Sequence, residues 1–267
     1  MDRLIYITGA SSQIGENLRI NLLASSNKVI ICSRRRLEIN DNESFVLYDL
    51  KDGINPLRGD YEHIIFHLAH DYYDRKDHRN SNVEGLKKII YNFRNVAKVK
   101  IVFISTADVL NKKSTIYTLQ KKISESLLDL NKDLIIRPSI IFSENSLNNL
   151  FKYLPRFGVP IPTNKNKIAP MDVKNFSKKL LSYGLDNNCN GILLFSGLKM
   201  MSFKKFLKKY YAIDTFNLHN SLWFILVFLL MLTRIPKLFY LSERILGFIY
   251  LRDIETLHDK NIKKIYI

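Results

Sequence analysis

Acidic side chains are scarce in this chain of 267 residues: 25 Asp and Glu stand against 41 Lys and Arg, a formal net charge of +16. Such an imbalance admits nucleic acid, an anionic membrane surface or phosphorylated small molecules as partners. The lysines are scattered in pairs, at Lys87-Lys88, Lys112-Lys113, Lys178-Lys179 and Lys208-Lys209. That spread suits solvated helix faces better than a binding stripe, and no nucleic-acid partner is expected. Cysteine is nearly absent. Cys32 and Cys189 offer neither a disulfide framework nor a metal spacing, as expected for a reducing cytoplasm. His63, His67 and His70 fall around one strand end, but no Cys or acidic ligand repeats at metal spacing. Packing and loop roles are expected for them, and no metal. The opening Met-Asp-Arg-Leu-Ile-Tyr-Ile-Thr-Gly reads as a strand and a turn, unlike a signal peptide.

What the sequence does have is alternation. Leu4–Ile7 is a short apolar run, a buried strand. Thr8-Gly9-Ala10-Ser11-Ser12-Gln13-Ile14-Gly15 follows, and Glu16–Ala24 then carries Leu18, Leu22 and Leu23 at helical spacing. Strand, glycine turn and helix in that order form the context of a phosphate cradle. Gly9 permits the tight turn, the amides at the helix start face a pyrophosphate, and Gly15 lets helix and strand pack closely. The next strand, Val29–Cys32, ends in Ser33-Arg34-Arg35-Arg36. An acidic residue near this point would bond the ribose hydroxyls of NAD, and there is none. A serine followed by arginines suits a 2′-phosphate, which favours NADP; a solvated basic loop accounts for the same residues, and both readings stay open. Further strands are expected at Phe45–Tyr48, His63–Leu68, Ile101–Ser105 and Leu134–Arg137. Helices are expected from Asn82 and over Tyr117–Leu130. Alternation of this kind means an α/β protein, a parallel sheet wrapped on both faces.

Residues 105–121 bring chemistry to that frame. A strand ends in the hydroxyl of Thr106, a short polar loop follows, and a helix begins near Tyr117. Tyr117 and Lys121 are four apart and share a helical face. An ammonium beside a phenol stabilises its ionised form, which makes Tyr117 a candidate proton donor or acceptor. Thr106 is placed to orient the same substrate oxygen.

From about residue 3 to about residue 198 these residues resemble the extended short-chain dehydrogenase/reductases, the NAD-dependent epimerase/dehydratase family. Thr8-Gly9-x-x-Ser12-x-x-Gly15 resembles its glycine motif, with serine for the middle glycine. Asp49-Leu50, His67-Leu68-Ala69-His70, Asn82-Val83-x-Gly85, Ile104-Ser105-Thr106, Tyr117-x-x-x-Lys121 and Arg137-Pro138 each match a family element in order. The resemblance implies a Rossmann-type doubly wound parallel sheet with a small, mainly helical C-terminal substrate region. It also implies oxidation or reduction of a nucleotide sugar with NADP or NAD, with a role in surface polysaccharide biosynthesis expected. Thr106, Tyr117 and Lys121 would be catalytic. Cofactor contacts would come from Gly9, Ser11, Ser12, Gln13, Ile14 and Gly15, from Arg34, from Asp49 and Leu50, from Leu68, Ala69 and His70, and from Ile104, Tyr117, Lys121 and Pro138. Family members often dimerise through helices that would here include 82–95 and 117–130. Two departures stand out. Thr106 and Tyr117 are only eleven apart, and Ala107 with a lone Asp108 replaces the acidic pair of dehydratases. Reduction or epimerisation fits better than dehydration. A nucleotide-binding scaffold or sensor with a degraded site, and a reductase or isomerase of a non-sugar carbonyl, are the alternatives.

Three regions are expected: a dinucleotide-binding domain over 1–145, a substrate region over 146–215 that partly returns to the core, and an apolar and basic helical tail over 216–267. In the substrate region Arg156, Lys165 and Lys167 are candidates for a diphosphate, a helix is read over Lys174–Tyr183 and a strand over Gly191–Ser196. The tail holds an uninterrupted apolar run, 222–232, followed by Arg234, Pro236 and Lys237 and by further apolar stretches to 251. Spanning a bilayer takes ~20 such residues, so the run is read either as a core helix or as an interfacial helix on an anionic membrane.

Overall fold

Strands that are apolar on both faces need cover on both faces, and this requirement organises the protein. The computed structural model describes residues 2–23, 25–72, 74, 80–111, 113–143, 158–162, 167–232, 242, 246 and 262–267. Arg156 and Lys165 lie outside the described residues, as do 73 and 75–79 of the polar segment after the fourth strand and 233–241 of the tail.

The strands are β1 (Arg3–Thr8), β2 (Lys28–Ser33), β3 (Glu43–Leu47), β4 (Glu62–His67), β5 (Val99–Ile104), β6 (Leu134–Pro138), β7 (Ile141–Phe142), β8 (Val159–Pro162), β9 (Lys167–Ile168), β10 (Met171–Asp172), β11 (Gly191–Ser196), β12 (Met201–Ser202), β13 (Thr215–Leu218) and β14 (Lys263–Tyr266). Eight of them form one sheet in the order β14-β11-β6-β5-β4-β1-β2-β3, and every pair in it is parallel. Alternate side chains serve opposite faces. Ile5, Ile7, Ile64, Phe66, Val102 and Ile136 pack into one core, and Leu4, Tyr6, Ile65, Ile101, Phe103 and Ile135 into the other.

Helix α1 (Gln13–Leu22) brings Leu18 and Leu22 to the first core, and α4 (Val173–Leu185) brings Phe176 and Leu180. Helix α2 (Ser81–Phe93) covers the opposite face with Leu86, Ile89 and Phe93. Helix α3 (Ile116–Glu125) lies against α2, and α5 (Phe203–Tyr211) and α6 (Asn220–Leu232) follow. Each start has a local cause. Ser12, Asn80, Thr115, Asp172 and Ser202 are N-caps whose side chains accept from the first free amides, each contributing about 1 kcal/mol. Thr115 and Thr118 cap each other's amides reciprocally. Helix α3 stops at Glu125, short of the expected Leu130, because the chain turns at Ser126–Leu128.

The chain moves outward from β1 to β3, then returns to lay β4 on the other side of β1. At this reversal α1 and α2 depart on opposite faces and leave a crevice above the carboxyl ends of β1 and β4. The back third returns to the sheet twice. Gly191–Ser196 pairs with β6, and Lys263–Tyr266, from the tail, forms the sheet edge beside it. The short strands β7, β9 and β10 come together near the same crevice.

Candidate active site

The crevice opens into a cleft of about 360 Å³, within the range of ligand pockets. The turn at the reversal depends on two glycines. Gly9 has φ +69, and a Cβ there would meet the Ala69 amide nitrogen at 2.9 Å. A Cβ on Gly15 would meet the Gly9 carbonyl oxygen at 2.7 Å. Backbone can thus pass where a side chain cannot. Ser12, in place of the middle glycine, has φ −78 and caps α1 through its hydroxyl to the Gly15 amide at 3.1 Å. Its backbone needs no glycine, so the exchange is compatible with the turn. Ser12, Gln13 and Ile14 line the cleft at the start of α1, where amides and the helix dipole favour an anion.

Thr8 ties the ends of β1 and β4. Its hydroxyl oxygen accepts from the Leu68 and Ala69 amides, both at 3.2 Å. Its proton is therefore directed to His67 Nδ1, 3.0 Å away. His67 is buried against the Phe103 ring, and burial first, with Lys121 adding to it, pushes its pKa down to about 3. The imidazole is neutral and structural. Asn82 fastens the next loop: its amide donates to the Asp71 carbonyl at 3.0 Å and its oxygen accepts from the Asp71 amide at 2.6 Å. Gly85 allows α2 to close on the Leu50 carbonyl, 2.7 Å from where a Cβ would stand.

Across the cleft, Thr106 ends the β5 segment and caps a 3-10 turn over Ala107–Leu110, its hydroxyl oxygen accepting from the Asp108 amide at 3.2 Å. The hydroxyl proton stays available to a ligand oxygen. Tyr117 and Lys121 project from α3 into the same space. Lys121 donates to the Ile104 carbonyl at 2.8 Å, and its ammonium lies 4.7 Å from the Phe103 ring centre and 5.9 Å from that of Tyr117. Burial lowers its pKa to about 7, against the opposing pull of Glu125 one turn on. Glu125 is itself held by Arg137 from β6. The Ser105 hydroxyl lines the cleft as well, buried and with no hydrogen-bond partner among the described residues.

Of the expected site residues, the cleft gathers Ser12, Gln13, Ile14, Leu68, His70, Ile104, Thr106, Tyr117, Lys121 and Pro138. Gly9, Ser11, Gly15, Arg34, Asp49, Leu50 and Ala69 stand outside its lining; Arg34 is exposed beyond β2, and the Asp49 carboxylate accepts from the Lys51 amide at 3.0 Å. Lys167 joins the lining from β9. Tyr72 joins it from the polar segment 71–80, which reads in the sequence as a loop able to touch substrate, and Asn111 and Ser139, which no sequence pattern marked, join it from other loops.

An all-parallel, doubly wound sheet with a glycine turn at its reversal is a Rossmann-type α/β fold, the fold of dinucleotide-binding proteins. Solved structures share it. The Bordetella bronchiseptica enzyme WbmH, solved in complex with NAD+, aligns over 82% of this chain and 85% of its own at 17% identity and TM-score 0.64. MoeE5, in complex with UDP-glucuronic acid and NAD, aligns over 82% and 85% at 15% identity and TM-score 0.63. The UDP-glucuronic acid 4-epimerase of Bacillus cereus, in complex with UDP-glucuronic acid and NAD, aligns over 81% and 85% at 16% identity and TM-score 0.62. No protein-family model and no curated protein matches the sequence.

Proposed function

We propose that this protein is a nicotinamide-dependent oxidoreductase that reduces or epimerises a nucleotide sugar. One observation carries the reading: Thr106, Tyr117 and Lys121 line a single cleft together with the amide-rich start of α1. The turn at Gly9 and Gly15 fits a dinucleotide-binding crossover, because a Cβ at either position would strike neighbouring backbone and the close strand–helix packing of that motif calls for glycine there. The NAD and UDP-sugars bound by structural neighbours support the same assignment.

Within this reading, Gly9 to Gly15 hold the pyrophosphate and Lys121 holds the nicotinamide ribose. The cofactor, when bound, supplies or accepts the hydride. Tyr117 gives its phenolic proton to the carbonyl oxygen as hydride reaches the carbon, or takes the hydroxyl proton when hydride leaves. Thr106 donates to that same oxygen and fixes its position. Arg34 after β2, with no acidic residue beside it, favours NADP over NAD, and the direct comparison is titration with NADPH and NADH. Asp108 lines the cleft and its sequence neighbours are Ala107 and Val109, where dehydratases carry an acidic pair, which supports reduction or epimerisation ahead of dehydration.

The test is Tyr117→Phe, followed by the absorbance of reduced nicotinamide across a panel of nucleotide sugars. Turnover should fall by roughly a hundredfold or more while cofactor affinity is kept. An enzyme that turns over normally without the phenol would refute the mechanism. Cofactor binding with no turnover on any sugar would favour a sensor with a degraded site.

A further inference from the structure

Helix α6 breaks the rule that a helix on a protein surface shows polar side chains to water. Its 13 residues, Asn220–Leu232, include no charged side chain. Trp223 and Val227, four apart, are buried and form its inner seam. On the outer side Leu222, Ile225, Phe228, Leu229 and Leu232 are each half or more exposed, reaching 64% at Leu232. They recur at intervals of three and four and share one face.

We propose that this face lies on an anionic lipid surface, as an interfacial helix. Three observations select that occupant. First, the uninterrupted apolar run is eleven residues, 222–232, and Arg234, Pro236 and Lys237 break the sequence after it, short of the ~20 residues that a span takes. Among the described residues no helix is long and apolar enough to cross a membrane. Second, the charge next to it in the sequence is complementary to acidic headgroups. Lys204, Lys205, Lys208 and Lys209 are exposed on α5 just before it, Arg234 and Lys237 follow it in sequence, and Asp214 is the one acid from Lys199 to Lys237. Basic residues beside an apolar helix each add attraction to anionic lipid. Third, a second copy is a poor fit. A footprint about 20 Å by about 10 Å falls well below the ~800 Å² per partner that a stable interface buries. The inference does not depend on the cofactor or on the reaction.

The experiment is co-sedimentation of the full chain with vesicles of phosphatidylcholine alone and of phosphatidylcholine with phosphatidylglycerol. Binding should be roughly tenfold or more stronger to the acidic vesicles and should weaken at high salt. The double variant Phe228→Glu/Leu229→Glu should lose roughly tenfold or more of that binding. Both side chains are exposed, so the fold should survive, and unchanged emission from Trp223, the one tryptophan in the chain, would verify that it does. Absence of vesicle binding, or equal binding to neutral and acidic vesicles, would overturn the proposal. So would a lipid-free dimer abolished by the double variant, since a second copy would then cover the face.

Discussion

The Glu125–Arg137 pair gives the most decisive test of how the site is held. Nε of Arg137 donates to Oε1 at 3.0 Å and Nη2 to Oε2 at 2.7 Å, with side chains 10% and 8% exposed. Glu125→Gln keeps the volume and removes the charge. The guanidinium cannot shed its proton, and its Nη1 is already buried without a partner among the described residues. It is left as an uncompensated buried cation. Two charges about 4 Å apart at an effective dielectric of about 20 attract by about 4 kcal/mol. Removing one partner of a buried pair costs ~3–5 kcal/mol by measurement. The amide oxygen of Gln still accepts one bond, so the lower end, about 3 kcal/mol, is expected. Arg137→Met should cost less, because the abandoned carboxyl can take up a proton. Glu125→Met/Arg137→Met leaves no buried charge and should lie within about 1 kcal/mol of the native protein. Equilibrium urea unfolding near neutral pH, at low and high salt, measures all three. High salt should change the native stability little, since a buried pair is poorly screened. A loss under about 1 kcal/mol for Glu125→Gln, or a double variant as unstable as the two singles summed, would refute the account of a desolvated pair.

Other outcomes follow from the same geometry. Gly9→Ala places a Cβ at φ +69 and 2.9 Å from the Ala69 nitrogen; a loss of about 2 kcal/mol or more is expected in thermal unfolding, and near-native stability would mean the two strand ends part easily. His67 binds a proton near pH 6.5 when unfolded and near 3 when folded. As pH falls through that window the unfolded chain gains a proton the folded one lacks, so stability drops by up to about 1.4 kcal/mol per pH unit and about 5 kcal/mol in all. His67→Gln should flatten that slope, and an unchanged slope would count against it. Ser12→Ala should cost about 1 kcal/mol through the lost cap of α1, read as a lower unfolding midpoint.

The sheet was legible because β1, β2, β4, β5 and β6 must bury both faces, which writes unbroken apolar runs into the sequence. The meeting of Tyr117 with Lys121 was legible because a helix fixes residues four apart on one side. Edge and loop geometry left weaker traces. Strand β14, Lys-Lys-Ile-Tyr, sits at an edge half open to solvent, so no buried-strand pattern marks it. The strands β7, β9, β10 and β12 are two residues long, too short to carry a period. Exposure along α6 could not be read from composition, since an apolar run looks the same whether a core or a surface receives it. The orphan hydroxyl of Ser105 depends on which neighbours the sheet happens to bring, and no spacing encodes that.

The short separation of Thr106 and Tyr117, eleven positions, has a structural consequence. The 3-10 turn over Ala107–Leu110 and the Thr115 cap take up half of the residues between them, which leaves little chain to wall the cleft on that side. The loop after β4 supplies the wall. Tyr72 stacks on Tyr117 with ring centres 5.9 Å apart, and His70 meets both rings edge-on, at 4.8 Å and 5.0 Å. Two polar side chains hold this loop in place. Asn82 grips both backbone groups of Asp71, and Gln120, one residue before Lys121, donates to the Asp74 carbonyl at 2.9 Å. Asn82 also donates to Gln120 at 3.0 Å, so the start of α2, the wall and the helix bearing the phenol are joined by one network. Buried polar networks of this kind are costly when half satisfied and rigid when complete. The position of Tyr117 is therefore set from β4 and α2 as much as from its own helix.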